Sequence, residues 1–241
     1  MMKRALIAVF ILSFIQLHGQ QVLNTNKDNN YFITRDRSEL IEKLVDLPCG
    51  IKAEDPVNVM FKKIQTYLEN FTPSPEYSDD VYAKAANLQA LKSVMEGGYG
   101  IGSVLIDEKG EIIEAAHNSQ IQENRSDLHA EMTLLTKFED SRKAKKYMNV
   151  YIYRPGLVVF SSAEPCPMCF IRINTTGADT KYCSPGPDDG MVSRTDFLPP
   201  AWKEMALQRK VSLGDCSPEM QKLSHLLFYS YLLDNRGPHQ D

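Results

Sequence analysis

Apolar positions along this chain recur at two spacings, and the changes between them mark out the elements. Steps of three and four place Val57, Met60, Phe61, Ile64 and Leu68 on one stripe, which predicts an amphipathic helix over residues 56–70. A shorter helical pattern spans residues 38–46, and Thr72-Pro-Ser-Pro75 then breaks the chain. Ser78-Asp-Asp80 sets acids at the positive end of a new helix that continues through Val81, Ala85, Leu88, Leu91 and Met95 until Gly97 and Gly98 stop it.

Beyond that helix the pattern changes. Residues 101–107 and 112–118 read as two strands joined by a Gly-containing turn, a hairpin. A helical pattern over 128–139 (Met132, Leu134, Leu135, Phe138) precedes strand-like runs at 149–153 and 157–161. Cys166 opens a helix to about Asn174. Residues 181–183 form a short strand candidate and 185–190 a loop, followed by a helix over 202–208, a strand over 210–213 and a last amphipathic helix over 218–233. Strands alternating with helices after residue 78 predict an α/β sandwich, helices covering a mixed sheet.

The N-terminus follows another logic. Lys3 and Arg4 precede an apolar run from Ala5 to Ile15, and the chain turns polar from Gln16 to Gln21, the pattern of a secretory signal peptide. The run is too short for the roughly 20 residues of a spanning helix, so no permanent membrane span is expected. The expected organisation is a signal peptide over 1–20, an N-terminal extension with short helices over 21–76, a catalytic domain over 77–234 and a tail over 235–241. The protein is expected to be exported, to the periplasm or outside the cell.

Composition narrows the classes. With 241 residues and 43% hydrophobic positions the chain can bury a full core. A formal charge of −4 is the wrong sign for gripping a polyanion over a broad surface, which makes nucleic acid the less expected partner. Five cysteines are too few for a disulfide scaffold, and an odd number cannot all pair within one chain.

Two stretches carry the chemistry: His129-Ala-Glu131 at one helix start and Pro165-Cys-Pro-Met-Cys169 at another. One imidazole and two thiols suit a Zn²⁺ that keeps its fourth position open, the arrangement of catalytic zinc. Cys166 and Cys169 are three apart, so a first helical turn directs both sulfurs to one side, and the helix N-terminus favours their thiolates. Pro167 suits that turn because its missing N–H would have lacked a partner. Glu131 lies about 200° around an ideal helix from His129, which argues against a fourth ligand and for a proton carrier beside the metal.

His-Ala-Glu followed by Pro-Cys-x-x-Cys resembles the zinc-dependent cytidine deaminase-like superfamily over residues 78–233. The stretch from Ser162 to Cys169 is most similar to the branch holding bacterial guanine deaminases and tRNA adenosine deaminases. The resemblance implies a three-layer α/β/α sandwich with a mixed five-stranded sheet, and the helix expected between Tyr182 and Val211 favours a parallel last strand. It implies zinc on His129, Cys166 and Cys169, proton shuttling by Glu131, and substrate contacts by Asn118 and the Ala130 backbone N–H. It further implies hydrolytic deamination of a nucleobase, nucleoside or related amino-heterocycle, and it admits a homodimer, since relatives often complete their pockets across one. Phe170, Ile171 and Arg172, where relatives usually carry small residues, depart from the pattern, and residues 174–178 have no counterpart.

Other readings remain open at this level: a deaminase of a macromolecular, nucleic-acid substrate, a non-catalytic zinc-containing member of the fold, and a thiol–disulfide module using Cys166 and Cys169. A thioredoxin-like module would place its pair early, after the first strand. His117 is expected as an ordinary hydrogen-bonded residue, Asp188 and Asp189 as solvated turn residues, and Phe228, Tyr229 and Tyr231 as core or subunit contacts. Two of Cys49, Cys183 and Cys216 could pair in an oxidising compartment, and nothing in the sequence selects which. Asn70, Asn124 and Asn174 head glycosylation patterns, the last two so near the proposed zinc residues that attached sugar is not expected.

Overall fold

The structure, a computed structural model, describes residues 36–149, 152–186 and 190–233. The signal segment, the extension up to residue 35, Asp188, Asp189 and the 235–241 tail lie outside the described residues.

Helix α1 (Arg37–Val45) starts where the Asp36 carboxylate accepts the N–H groups of Ser38 and Glu39, at 2.7 and 3.2 Å. Helix α2 (Val57–Asn70) buries Met60, Phe61, Ile64 and Leu68, four of the five stripe positions. Helix α3 (Asp80–Met95) then leads into β1 (Gly102–Ile106) and β2 (Ile112–His117), the expected hairpin, with a bulge after Leu105.

The rest follows as α4 (Ala130–Glu139), α5 (Ala144–Tyr147), β3 (Met148–Asn149), β4 (Ile152–Tyr153), β5 (Val158–Ala163), α6 (Pro167–Thr176) and β6 (Asp179–Ser184). A 3₁₀ turn (Val192–Phe197), α7 (Pro200–Leu207), β7 (Val211–Leu213), α8 (Pro218–Tyr229) and a closing 3₁₀ turn (Ser230–Leu233) complete the order.

Five strands form one sheet in the order β2-β1-β5-β6-β7. The β1 strand pairs antiparallel with both β2 and β5, whereas β5–β6 and β6–β7 are parallel, as the crossover helices α6 and α7 require. The fold is the expected mixed-sheet α/β sandwich, with a parallel last strand.

Strand β1 is buried at every position because helices cover both of its faces. Successive side chains therefore enter different cores. Val104, Ile106 and Phe160 point into one with α1, α2, α3 and α8, and Leu105 and Val159 into another with α4 and α6. A third cluster gathers Phe170, Tyr182 and Ala206 beneath α7. The helices of the 21–76 segment thus share one core with the sheet.

Two glycines fix how closely the helices approach. A Cβ on Gly102 would sit 2.2 Å from the Ala86 carbonyl oxygen of α3, and one on Gly100 would sit 1.8 Å from that of Leu227 on α8. Neither helix backbone could lie as near if these residues carried side chains.

The run at 149–153 is not one strand of the main sheet. Met148–Asn149 and Ile152–Tyr153 pair with each other as a separate two-stranded sheet. The Tyr153 ring packs edge-on against Phe138, and its hydroxyl donates to Glu139 at 3.1 Å. These partners, both on α4, hold the segment there and away from the sheet.

Candidate metal centre and its pocket

Because β2 and β5 both run antiparallel to β1, they point the same way, and their C-terminal ends lie at the same sheet edge. The chain leaving each of these ends leads to a helix N-terminus, α4 after β2 and α6 after β5. Topology therefore juxtaposes residues that the sequence separates by 37 positions.

His129 and Cys166 are the N-cap residues of those helices, both in extended backbone conformation. Pro167 occupies the first turn of α6, as its missing N–H allows. Cys169, three residues past the cap, is fully buried.

The ligand atoms of His129, Cys166 and Cys169 all lie within 4.8 Å of one another, the one such group of three or more among the described residues. Cys166 Sγ is 3.5 Å from His129 Nδ1. A tetrahedral zinc with bonds of about 2.3 Å to sulfur and about 2.0 Å to nitrogen demands a sulfur–nitrogen separation of about 3.5 Å. The donor set fits zinc in number, softness and spacing.

The electrostatics point the same way. A hydrogen bond from the Cys169 thiol, with further ones from His129 and the Cys169 backbone N–H, holds the Cys166 thiol well below its ordinary range. That same bond, together with burial, pushes Cys169 up. A thiolate at a helix N-terminus is also favoured by the helix dipole.

Glu131 is buried in the first turn of α4 and accepts the Ser161 hydroxyl at 2.9 Å. Ser161 in turn accepts the hydroxyl of Ser103 at 3.1 Å. Burial raises the Glu131 carboxyl above the usual carboxylate range, and the Cys166 charge adds to the effect. His129 lies outside the helix, so the ideal 200° offset does not apply. Glu131 and His129 line one cavity of about 270 Å³, and Glu131 stands outside the three-ligand group.

Asn118 is fully buried at the end of β2, with its carboxamide bound to Gln120: it donates to Oε1 at 2.7 Å and accepts the backbone N–H at 3.1 Å. Gln120, not Asn118, lines the cavity. Ala130 is fully buried at the first position of α4. His117 lies 3.0 Å from Glu96 and outside the ligand group. Asn174 is buried, and its Nδ2 donates to the Phe170 carbonyl at 2.7 Å, a placement that leaves no room for a sugar.

Sequence reasoning missed Tyr99, Glu164 and Phe228, which also line the cavity. Phe228 packs against the core, as expected of the last helix, and also borders the pocket. Tyr229 joins the core, and Tyr231 meets Tyr99 ring to ring at 5.2 Å. Glu164 accepts the N–H groups of Gly186 and Ser193, both at 2.9 Å, and a Cβ on Gly190 would collide with its carboxylate at 2.3 Å. Its place directly before Pro165-Cys166 was the signal that could have revealed it.

Residues 76–184 match the family model for the cytidine and deoxycytidylate deaminase zinc-binding region. The chain is 37% identical to the tRNA-specific adenosine deaminase of Bacillus subtilis (strain 168) over 91 residues, which cover 38% of this chain and 52% of that protein. It is 35% identical to the cytosine deaminase of Candida albicans (strain SC5314 / ATCC MYA-2876) over 83 residues, covering 34% and 49%. The chain thus spans about half the length of the curated relatives it matches. The crystal structure of NE0047 in complex with 2,6-diaminopurine shares the fold, with a TM-score of 0.51 and 20% identity over 71% of this chain and 89% of that one.

Proposed function

From a chain whose residues 76–184 match the cytidine and deoxycytidylate deaminase zinc-binding region, we propose an exported hydrolytic deaminase of a nucleobase, nucleoside or related amino-heterocycle. One observation carries the reading: His129 and Cys166, which with Cys169 form the ligand group, border the same small cavity as the buried Glu131. A structural zinc has no use for that carboxylate.

His129, through Nδ1, and the two cysteine sulfurs would hold the metal. Zinc, when bound there, acts as a Lewis acid and lowers the pKa of water to about 7. Glu131 takes a proton from the attacking water and delivers it to the ring nitrogen, then takes a second proton from the newly added hydroxyl and delivers it to the departing amine, so that ammonia leaves. Ser161 orients the carboxylate for both transfers. Tyr99, Ile101 and Phe228 give the cavity apolar surface suited to a flat ring, and Gln120 supplies amide donors and acceptors.

A volume near 270 Å³ falls just under the roughly 300–1,000 Å³ of drug-sized sites and favours a small heterocycle. The net charge of −4 favours the same substrate class over a polyanion. Export rests on the basic start and short apolar run of the first 20 residues. The likeness to a tRNA-specific adenosine deaminase supports one alternative, a nucleic-acid substrate.

Ammonia release from zinc-loaded protein, measured across bases, nucleosides, nucleotides and a single-stranded oligonucleotide, tests the assignment. Turnover of a base or nucleoside that collapses in Glu131→Ala is expected. Turnover of the oligonucleotide alone would move the substrate class, and full activity in Glu131→Ala would remove the shuttle.

A further inference from the structure

Away from the metal centre, two buried thiols share one core. Cys183 lies on β6 and is fully buried, and Cys216, 3% exposed, lies in the loop between β7 and α8. Both belong to the core that also holds Phe160 and Leu223. Strand β6 pairs in parallel with β7, Tyr182 opposite Leu213, so Cys183 stands in register with the residues that lead into Cys216; the neighbouring Cys183 thiol, together with burial, pushes the Cys216 thiol up.

The backbone allows this thiol little freedom. Gly214 N–H donates to the Tyr182 carbonyl at 2.8 Å, and Cys216 N–H to the Gly214 carbonyl at 3.0 Å. Asp215 N–H is bound by Asp79 at 2.8 Å, and Ser217 N–H by Asp80 at 2.7 Å. Four successive N–H groups are anchored, so the loop cannot swing Cys216 away without breaking them. Packing is tight as well: a Cβ on Gly214 would lie 2.9 Å from the Phe160 ring and 3.0 Å from the Cys216 sulfur.

The other cysteines have different settings. Cys166 and Cys169 belong to the ligand group, and Cys49 is half-buried beside α2. We propose that Cys183 and Cys216 form a disulfide when the chain folds in an oxidising compartment, with a small-molecule or protein disulfide as the oxidant.

The exchange balances in two steps. One cysteine thiolate attacks a sulfur of the oxidant, breaking its S–S bond and expelling one thiolate. The second cysteine attacks the mixed disulfide, forming the Cys183–Cys216 bond and expelling the other. Each attacking cysteine loses one proton, and the oxidant gains both electrons and leaves as two thiols. Burial in the finished core places this chemistry on the folding chain, before the site closes.

The bond would tie β6, whose terminal Ser184 carbonyl accepts the Glu164 N–H at 2.8 Å, to the start of α8, whose far end carries Phe228. Both walls of the cavity would then share one covalent brace.

The test does not depend on the deaminase reading. The full chain is refolded with zinc in a mixture of oxidised and reduced glutathione, free thiols are alkylated under denaturing conditions, and the peptides are mapped by mass spectrometry. A cross-linked peptide pair holding Cys183 and Cys216, with Cys49 alkylated, is expected. Alkylation of both Cys183 and Cys216, or a bond from either to Cys49, overturns the proposal. Closing a loop of about 33 residues should raise the unfolding midpoint by roughly 7–15 °C over the reduced protein. Cys183→Ala/Cys216→Ala should show no such difference between oxidised and reduced samples, and an equal shift in that variant also overturns the proposal.

Discussion

The two faces of the sheet have different duties. On one, α1, α2, α3 and α8 pack a large core of Leu40, Ile64, Leu68, Ala90 and Leu227 that contains no ligand atom. On the other, α4 and α6 pack through Leu134, Leu135 and Ile173, and their N-termini deliver all three ligands. The first face gives stability and lends the pocket Phe228, whereas the second fixes the geometry of the metal centre. Side chains that do not touch the metal can still position it: Arg172 on α6 is hydrogen-bonded to Glu139 on α4, which also accepts the Tyr153 hydroxyl. Arg172, which departs from the pattern the sequence resembles, is therefore a clamp between the two ligand-bearing helices.

This contrast can be broken by experiment. The largest effect is expected from His129→Ala, which should empty the site of zinc by metal analysis and abolish ammonia release; stoichiometric zinc in that variant would refute the ligand assignment. Glu131→Gln should lower kcat by about 10²–10⁴ while zinc content stays at one per chain. On the opposite face, Leu68→Ala should cost about 2–5 kcal/mol of stability in denaturant titration, with zinc content unchanged in the folded protein. Coupled loss of zinc under native conditions would show that the faces are not separable.

Arg172→Met sharpens the comparison from the other side. It should weaken zinc binding by about 10–100-fold in chelator competition, with rescue by Arg172→Lys only partial because a lysine lacks the planar fork. The smallest effect is expected at Asp36→Ala, which removes the cap of α1 and should cost about 1 kcal/mol without changing kcat or zinc affinity.

Much of the arrangement was legible in residue order. The stripes of α2 and α4, the hairpin and the Pro-Cys-x-x-Cys helix start obey local periodicity and capping rules, which act over a few residues. The run at 149–153 was legible as strand but not as to its partner, because aromatic and β-branched residues fit a strand in any sheet. Only the contacts of Tyr153 with Phe138 and Glu139 assign it to a two-stranded sheet of its own. The second role of Phe228 stayed hidden for a similar reason: apolar spacing shows that a helix has a buried face and leaves open whether a cavity borders it.

What the sequence determined by itself is the chemistry: one imidazole, two thiols and a carboxylate at helix-start spacings, because donor identity and cap geometry are local properties. Only the tertiary structure decided that these groups meet. Two strands flanking β1 in the same direction end at one edge, and that pairing joins residues far apart in the chain. The same long-range packing brought Phe228 to the pocket and put Cys216 in one core with Cys183, placements that arise from the approach of whole elements and leave no periodic trace in the residues that make them.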